Sequence, residues 1–312
     1  MRKFFGVIFC ACTLLCTGCS RSVTEVRDRM YIQGAAFGGS RTLTELTLYP
    51  FEGTGETLSG EGLTMAAAVE ETSVKSGKSV FMGHLELLCF DRASFTDSMQ
   101  ECMEEYRLSP ACKLLYLHET ELPEGIDTTL LTDQLRQEEE NGRIPETDLF
   151  HVLSECAGGD GTALVPALTE KGLAMCILDG EEVLGTLSDH AVQGLCWIRG
   201  ENYPKRISVA GNDSMVNYEV YSAQTELSAE IRNGIPHVTV TIRIRGSGNS
   251  EAAKRLIKAS CSIAIEEAVK DMHADVIGLD ACLRKDCPEY YAQQDFETAK
   301  FAAVFDVVVT AF

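Results

Sequence analysis

Positively charged residues are scarce in this sequence. Its 312 residues include 27 lysines and arginines against 47 aspartates and glutamates, a net charge of −20. Nucleic acids and anionic lipid surfaces are bound mainly through clustered lysine and arginine, so this balance argues against both as direct partners. The acid is densest over residues 96–148. We interpret the most acidic part of that segment, RQEEENGR (residues 136–143), as a solvated helix end or loop, with an interaction surface as the alternative.

Long apolar runs are also lacking, apart from one at the start. Arg2 and Lys3 precede the uncharged run FFGVIFCACTLL, and no second run of this kind follows. A permanent membrane-spanning helix needs about 20 apolar residues, so this run is too short. A basic start, a short apolar middle and small residues at the end are typical of a secretory signal peptide.

The end of that segment predicts a lipid anchor. Thr17, Gly18 and Cys19 resemble the lipobox of bacterial lipoproteins, although Cys16 occupies the usual leucine position and Leu15 lies one place earlier. We therefore expect residues 1–18 to be a lipoprotein signal peptide, and Cys19 to become the acylated N-terminus, thioether-linked to diacylglycerol. Several acyl chains hold a protein on a membrane far more firmly than one. An ordinary signal peptide with a chance cysteine, or an uncleaved anchor, are the alternatives.

Catalytic and metal-binding motifs are missing as well. After Cys19 the chain has no CxxC pair, and it has no GxSxG anywhere. The SGKS around Lys78 lacks the first glycine of a phosphate-binding loop, since Thr72 stands there. The six histidines show no metal-ligand spacing. We therefore predict no catalytic residue, no cofactor and no metal site, and a protein that is not an enzyme.

Nine cysteines follow Cys19, an odd number that cannot all pair. Four of them lie among apolar neighbours, where a free thiol behaves as a small core residue. We predict that these four are free and buried: Cys89, Cys176, Cys196 and Cys261. A local bridge between Cys282 and Cys287 is left open by their spacing.

Apolar periodicity predicts alternating strands and helices in the first two thirds of the chain. Strands are expected at MYIQGAAF, TLTELTLYPF, SVFMGHLELLCF and CKLLYLH, the third with Phe81, Leu85, Leu87 and Cys89 on one face. Helices are expected over residues 63–76, 94–106 and 128–141, and in DLFHVLSECAGG. LAMCIL and EVLGTL read as a hairpin closed at Asp179-Gly180.

The last third predicts a sheet packed on one long helix. MVNYEVYS, TELSAEIR and HVTVTIRIRG read as three strands, the last two forming a hairpin at Asn233-Gly234. Residues 250–273 show a helical apolar stripe, and FAAVFDVVVTAF reads as a closing strand. The fold class is therefore α+β (mixed α/β), and its C-terminal domain is a mostly antiparallel sheet on a long helix.

The pattern also predicts how the chain is divided. After the signal peptide (residues 1–18), we expect an N-terminal α/β domain over 19–145, a middle domain over 146–205 and a C-terminal α+β domain over 206–312.

Taken in order, several motifs resemble the Ger(x)C family, the lipoprotein C subunits of spore germinant receptors. The chain is similar to that family in its TGC signal end, in GKSVFMGHLELLCF and in ALVPALTEKGLAMCILDGEEVLGTLSDHAVQGLCWIRG. HADVIGLDACLRKDCPEYY resembles its Asp-x-x-Gly-phe-Gly pattern followed by a proline and an aromatic residue. The matching positions are Gly77, Lys78, Gly83, His84, Asp275, Gly278, Pro288 and Tyr290.

The sequence departs from the family pattern at several positions. Ser20 and Arg21 replace the usual Trp-Asp, Asp280 replaces the second glycine, Tyr290 replaces a tryptophan, and the chain is short for a member.

The resemblance implies a non-enzymatic, three-domain lipoprotein on the outer face of the spore inner membrane. It would act in germination with a multi-spanning A subunit and a transporter-like B subunit. No catalytic residue carries over, so we read His84 and Asp275 as structural, with buried polar contacts. The alternative is an extracytoplasmic solute-binding lipoprotein of a transport system. The sequence names no germinant.

Overall fold

The computed structural model describes residues 28–40, 42–51, 57–91, 105–118, 122, 126–158, 161–180, 182–210, 215–293 and 296–312. Within these ranges helices and strands are mixed, which confirms the predicted α+β class. Cys19 and the predicted signal peptide lie outside the described residues.

Thirteen strands are present in the described part of the chain. They are β1 (Arg29–Ser40), β2 (Leu43–Pro50), β3 (Leu58–Gly62), β4 (Ser79–Phe81), β5 (Leu87–Phe90), β6 (Lys113–Leu117), β7 (Thr162–Thr169), β8 (Gly172–Asp179), β9 (Glu182–Leu187), β10 (Arg206–Ala210), β11 (Met215–Arg232), β12 (Ile235–Gly248) and β13 (Val304–Ala311).

The described helices are numbered in chain order, and most begin at a side-chain cap. They are α1 (Met65–Ser76), α2 (Thr128–Glu140), α3 (Leu149–Cys156), α4 (Asp189–Arg199), α5 (Ser250–Ala264), α6 (Leu279–Asp286), α7 (Pro288–Tyr291) and α8 (Phe296–Ala299). Thr64, Asp127, Asp148, Ser188 and Asn249 each accept a hydrogen bond from a backbone N–H in the first turn of the following helix, as favoured cap residues do.

The first nine strands form one mixed sheet in the order β3-β2-β1-β5-β6-β7-β8-β9, with β4 paired to β1. Pairing is parallel from β1 through β5 and β6 to β7, and antiparallel toward both ends. Strands at the centre of such a sheet are covered on both faces, which explains the unbroken apolar runs LLCF and KLLYL.

Each face of this sheet carries its own apolar cluster. Leu88 and Leu114 point to the side covered by α1 and α3, whereas Leu115 and Leu117 point to the side covered by α2. Alternate residues of one strand thus enter different cores. Lys113, which is buried, forms an ion pair with Glu139 of α2 at 2.6 Å.

The second sheet has the order β10-β11-β12-β13. β11 and β12 are antiparallel and joined at Asn233-Gly234, where both residues have positive φ, as a two-residue hairpin turn requires. β13 pairs with β12 in parallel. The inward positions of β12 were correctly predicted, since Val238, Val240, Ile242 and Ile244 are buried.

The long C-terminal helix packs most extensively against α4. A Cβ atom added to Gly194 of α4 would lie 2.1 Å from the carbonyl oxygen of Ser260 on α5, so glycine permits the close crossing. Ile257 and Cys261 of α5 enter the same apolar cluster as the inward face of β12.

The two sheets share that cluster. It contains Leu164 and Ile177 of the large sheet, Leu195 of α4, and the inward residues of β12 and α5. β7, β8 and β9 lie in the nine-stranded sheet with β1. The predicted division of the chain at residues 145 and 205 stays a prediction.

Three strand predictions needed correction. SVFMGHLELLCF is not one strand: β4 and β5 are separated by a turn at Gly83-His84, and Leu85 and Leu87 enter different clusters. MVNYEVYS and TELSAEIR are one strand, β11, continued past an irregularity at Val220/Ser222. β10 was not predicted.

Two helix predictions have mixed outcomes. The helix over residues 250–273 is α5 continued by a π-helical segment, Ile265–Asp271. The helix predicted over 94–106 lies almost wholly outside the described residues.

The Asp179-Gly180 hairpin between β8 and β9 is confirmed.

Candidate functional site

Six charged side chains line a cavity where α3 and α4 meet the loop that enters α6. Glu155 of α3 accepts a hydrogen bond from the backbone N–H of Leu164 at 2.9 Å and forms an ion pair with Arg199 at the end of α4. A second carboxylate, Glu201, lies 3.4 Å from Nε of Arg199. Burial alone would lower the pKa of Arg199, but the two carboxylates outweigh burial and raise this pKa. Arg199 is therefore a fixed, compensated cation.

Asp275 organises the loop that closes the other side of the cavity. Its Oδ1 accepts a hydrogen bond from the N–H of Leu279, and its Oδ2 accepts one from Asp280, both at 2.6 Å. These N–H groups belong to the first turn of α6, which has no partner for them within the helix. Gly278 precedes the helix with φ of 78°. Asp275 is thus a half-buried structural residue, as the sequence reading held.

The cavity between these groups has a volume of about 420 Å³. Its charged lining residues are Glu155, Arg199, Glu201, Asp275, Asp280 and Arg284. Four carboxylates against two guanidinium groups make this wall acidic.

His84 differs from its predicted setting. It is exposed, in the turn between β4 and β5, and its ring stacks on Tyr31 at 6.3 Å and meets Phe81 edge-on at 5.5 Å. The expected buried polar contact was wrong, because the turn at Gly83 carries the imidazole out of the sheet. His84 lines a separate cavity of about 370 Å³, so the structure does not bring it to Asp275.

The other motif positions serve local structure. Gly77 ends α1 with φ of 67°, and Lys78 beside it is exposed. Pro288 begins α7, a favoured position for a residue without an N–H. Tyr290 is buried and meets Phe296 edge-on at 6.3 Å.

One group that the sequence reading missed could offer metal ligands. Glu146, Asp148 and His151 bring three ligand atoms within 4.8 Å of one another. Oδ1 of Asp148 already caps α3 through the N–H of His151 at 3.0 Å and meets Nδ1 of His151 at 2.7 Å. Because helix capping explains this geometry, we assign the group a structural role at the start of α3. The only sequence signal was the spacing E-x-D-x-x-H.

The thiols agree with the prediction. Cys89, Cys176, Cys196 and Cys261 are all free and buried. Cys282 and Cys287 are also free, so the bridge that the spacing left open is not formed. Burial raises the pKa of Cys196 and that of Cys261 to about 12. Such thiols stay protonated and unreactive at neutral pH.

Within the described residues, no helix combines the length and apolar character needed to cross a bilayer. The predicted lipidation site, Cys19, lies outside those residues.

Comparisons with known proteins give two matches. The family model described as Spore germination B3/GerAC like, C-terminal, matches residues 172–311. The crystal structure of the GerBC protein superposes with a TM-score of 0.57 at 14% identity, covering 89% of this chain and 96% of that chain. No curated protein matches.

The family match covers α4, α5, the Asp275 loop and the whole second sheet. The superposition extends the structural likeness into the nine-stranded sheet, and at this identity it shows the fold alone. Over residues 172–311 the chain is similar to the GerAC-like spore germination proteins, and its fold is similar to that of GerBC.

Proposed function

We propose that this protein is the C-type subunit of a spore germinant receptor, a non-enzymatic lipoprotein that acts by contact with membrane-embedded A and B subunits. The observation that carries the proposal is the family match over residues 172–311. The similarity to GerBC supports it by extending the likeness over most of the chain.

The membrane attachment in this proposal rests on Cys19. A short apolar run followed by Thr17-Gly18-Cys19 supports acylation at that cysteine. Lipidation would place the folded part outside the cytoplasm at the surface of the spore inner membrane, beside the A and B subunits.

The test separates attachment from receptor function. Spores that carry Cys19→Ala should release the protein from the membrane fraction. Cys12→Ala, a matched cysteine change in the apolar run before the lipobox, should leave the protein there. Equal fractionation of Cys19→Ala and wild type would contradict the lipid anchor.

The receptor role needs a separate measurement. Affinity purification of the wild-type protein from spore membranes should recover the A and B subunits. Deletion of the gene should abolish the germination response of that receptor in a strain lacking redundant receptors. A normal response in such a strain would contradict the proposed role. Recovery of an ATP-driven permease instead would favour the solute-binding alternative.

A further inference from the structure

Asp280 lies in the acidic cavity with its charge unmatched. The residue is 7% exposed and lines the cavity of about 420 Å³. Among the residues that the structure describes, its carboxylate has no hydrogen-bond or ion-pair partner. Because the residue as a whole is nearly buried while its carboxylate lines the cavity without a described partner, the position of this carboxylate needs an explanation.

Helix capping does not supply that explanation. A carboxylate in the first turn of α6 is favoured by the helix dipole, but the N–H groups of Leu279 and Asp280 are already bonded to Asp275. An aspartate at the exposed side of the turn would give the same dipole interaction without lining the cavity.

The other charges at the cavity are accounted for. Glu155 and Glu201 both meet Arg199, and Asp275 holds the start of α6. Arg284, one turn beyond Asp280, is exposed and lies over the ring of Tyr291, with 5.9 Å between its Cζ and the ring centroid. No ion pair within 4.0 Å joins it to Asp280 in the described structure.

A cation is thus the group that would complete this cavity. Metal coordination requires several ligand atoms close together, and in the described part of the chain three such atoms converge only at Glu146, Asp148 and His151. A cavity of this size fits a small organic molecule instead. We propose that the cavity binds a small molecule carrying a protonated amine, with the carboxylate of Asp280 as its counter-ion.

This proposal is tested on the purified full-length protein with n-butylammonium, and with 1-butanol as a neutral probe of the same length. Wild-type protein should bind the ammonium at least tenfold more tightly than the alcohol in titrations followed by NMR. Asp280→Asn keeps the shape of the side chain and should abolish that preference. Equal binding of the two probes by wild type would overturn the proposal, as would a preference that survives in Asp280→Asn.

Two further variants test whether the carboxylate of Asp280, and no other charged group, binds the ammonium. Glu289→Gln removes an exposed carboxylate outside the cavity lining and should retain the preference. Arg284→Gln removes the cation nearest to Asp280 along the helix and should leave binding unchanged or tighter. Loss of binding in Arg284→Gln would place the ligand on the guanidinium and contradict the assignment.

A wild-type measurement covers the case in which Asp280→Asn does not fold. Thermal melting checks the fold of each variant. Independently, the amide shifts that n-butylammonium causes in wild-type protein should concentrate at Gly278, Ala281 and Thr162. Shifts confined to other surfaces would overturn the proposal.

Because binding is measured directly, its failure would leave the proposed receptor role untouched. The converse also holds, since loss of the receptor role would not affect an observed amine preference.

Discussion

Single side chains in this protein act mainly by holding backbone in place. Asp275 bonds two amides of α6, Glu155 bonds the amide of Leu164, and Asp148 bonds the amide of His151. In each case a carboxylate accepts hydrogen bonds from backbone N–H groups that have no partner within the adjoining helix or strand. These three carboxylates therefore have structural roles.

Asp275→Ala should destabilise the protein by about 0.5–2 kcal/mol, because the first turn of α6 loses both side-chain acceptors. Asp275→Asn retains one acceptor oxygen and should cost less. Denaturant unfolding measures both. Asp271→Ala, an exposed aspartate four residues earlier, is the control and should change the free energy of unfolding by less than about 0.5 kcal/mol. Equal stabilities of Asp275→Ala and Asp271→Ala would contradict the capping role.

Buried thiols make the free energy of unfolding depend on pH in the alkaline range. Cys261 keeps its proton up to a pKa of about 12 when folded, whereas its ordinary pKa is 9.0. A group whose folded pKa is raised contributes stability that is fully present below the unfolded pKa. That contribution is lost as pH rises through the window up to the folded pKa.

Between pH 9 and pH 11, the free energy of unfolding should fall with pH less steeply in Cys261→Ala than in wild type. The difference in slope should approach about 1.4 kcal/mol per pH unit for one thiol. Ser262→Ala, exposed on the next position of α5, should give a curve parallel to that of wild type. Identical slopes for Cys261→Ala and wild type would show that this thiol is not protected by burial.

At the scale of elements, local sequence patterns predicted the features that belong to a single strand, helix or turn. The period-two alternation of HVTVTIRIRG and the Asn233-Gly234 turn predicted β12 and its hairpin, because inside-outside alternation and positive φ are properties of the chain itself. The break at Gly83-His84 was missed because the residues on both sides of the turn are apolar. Both faces of β5 are buried, so no alternation marks where that strand begins.

Such local patterns could not predict the contacts between different helices and strands. The need for glycine at position 194 arises only from the crossing of α4 with α5, which local sequence does not reveal. The parallel pairing of β13 with β12 is likewise set by the long path through α5 and α6. For the candidate site, the motif containing Asp275 was recognised from sequence. Its convergence with Glu155 and Arg199 depends on tertiary packing.

Gly194→Ala should destabilise the protein by about 1–3 kcal/mol, because its Cβ would overlap the carbonyl oxygen of Ser260. Alanine is otherwise the better helix former by about 1 kcal/mol, so a loss of stability is diagnostic of the close crossing. Thermal and denaturant melts measure the change, with Ser262→Ala on the facing helix as the control. A gain of stability in Gly194→Ala would disprove the tight contact.

At the scale of the whole molecule, the apolar cluster that includes α4 and α5 joins the two sheets. Ala191, Leu195 and Trp197 of α4 are buried in the cluster that also contains Ile257 of α5 and Val240 of β12. We propose the C-terminal domain over residues 206–312 as an independent unit, but α4 lies just before that boundary and covers α5. The packing of α4 therefore decides how stable an isolated C-terminal unit can be.

Two fragments test this directly. A fragment of residues 188–312, which includes α4 with its Ser188 cap, should melt cooperatively and at a higher temperature than a fragment of residues 206–312. Without α4, the side of α5 that carries Ile257 and Cys261 loses part of its apolar cover. Exposing apolar surface to water costs about 25 cal/mol per Å².

Leu195→Asp in the longer fragment is the matched variant. It keeps the chain length but places an unpaired charge against α5, and it should lower the melting temperature to that of the shorter fragment or below. Equal melting temperatures for the two wild-type fragments would mean that α4 contributes nothing to the C-terminal fold. The domain boundary at residue 206 would then describe a self-sufficient unit, and the cluster joining the two sheets would be a docking contact between separately stable parts.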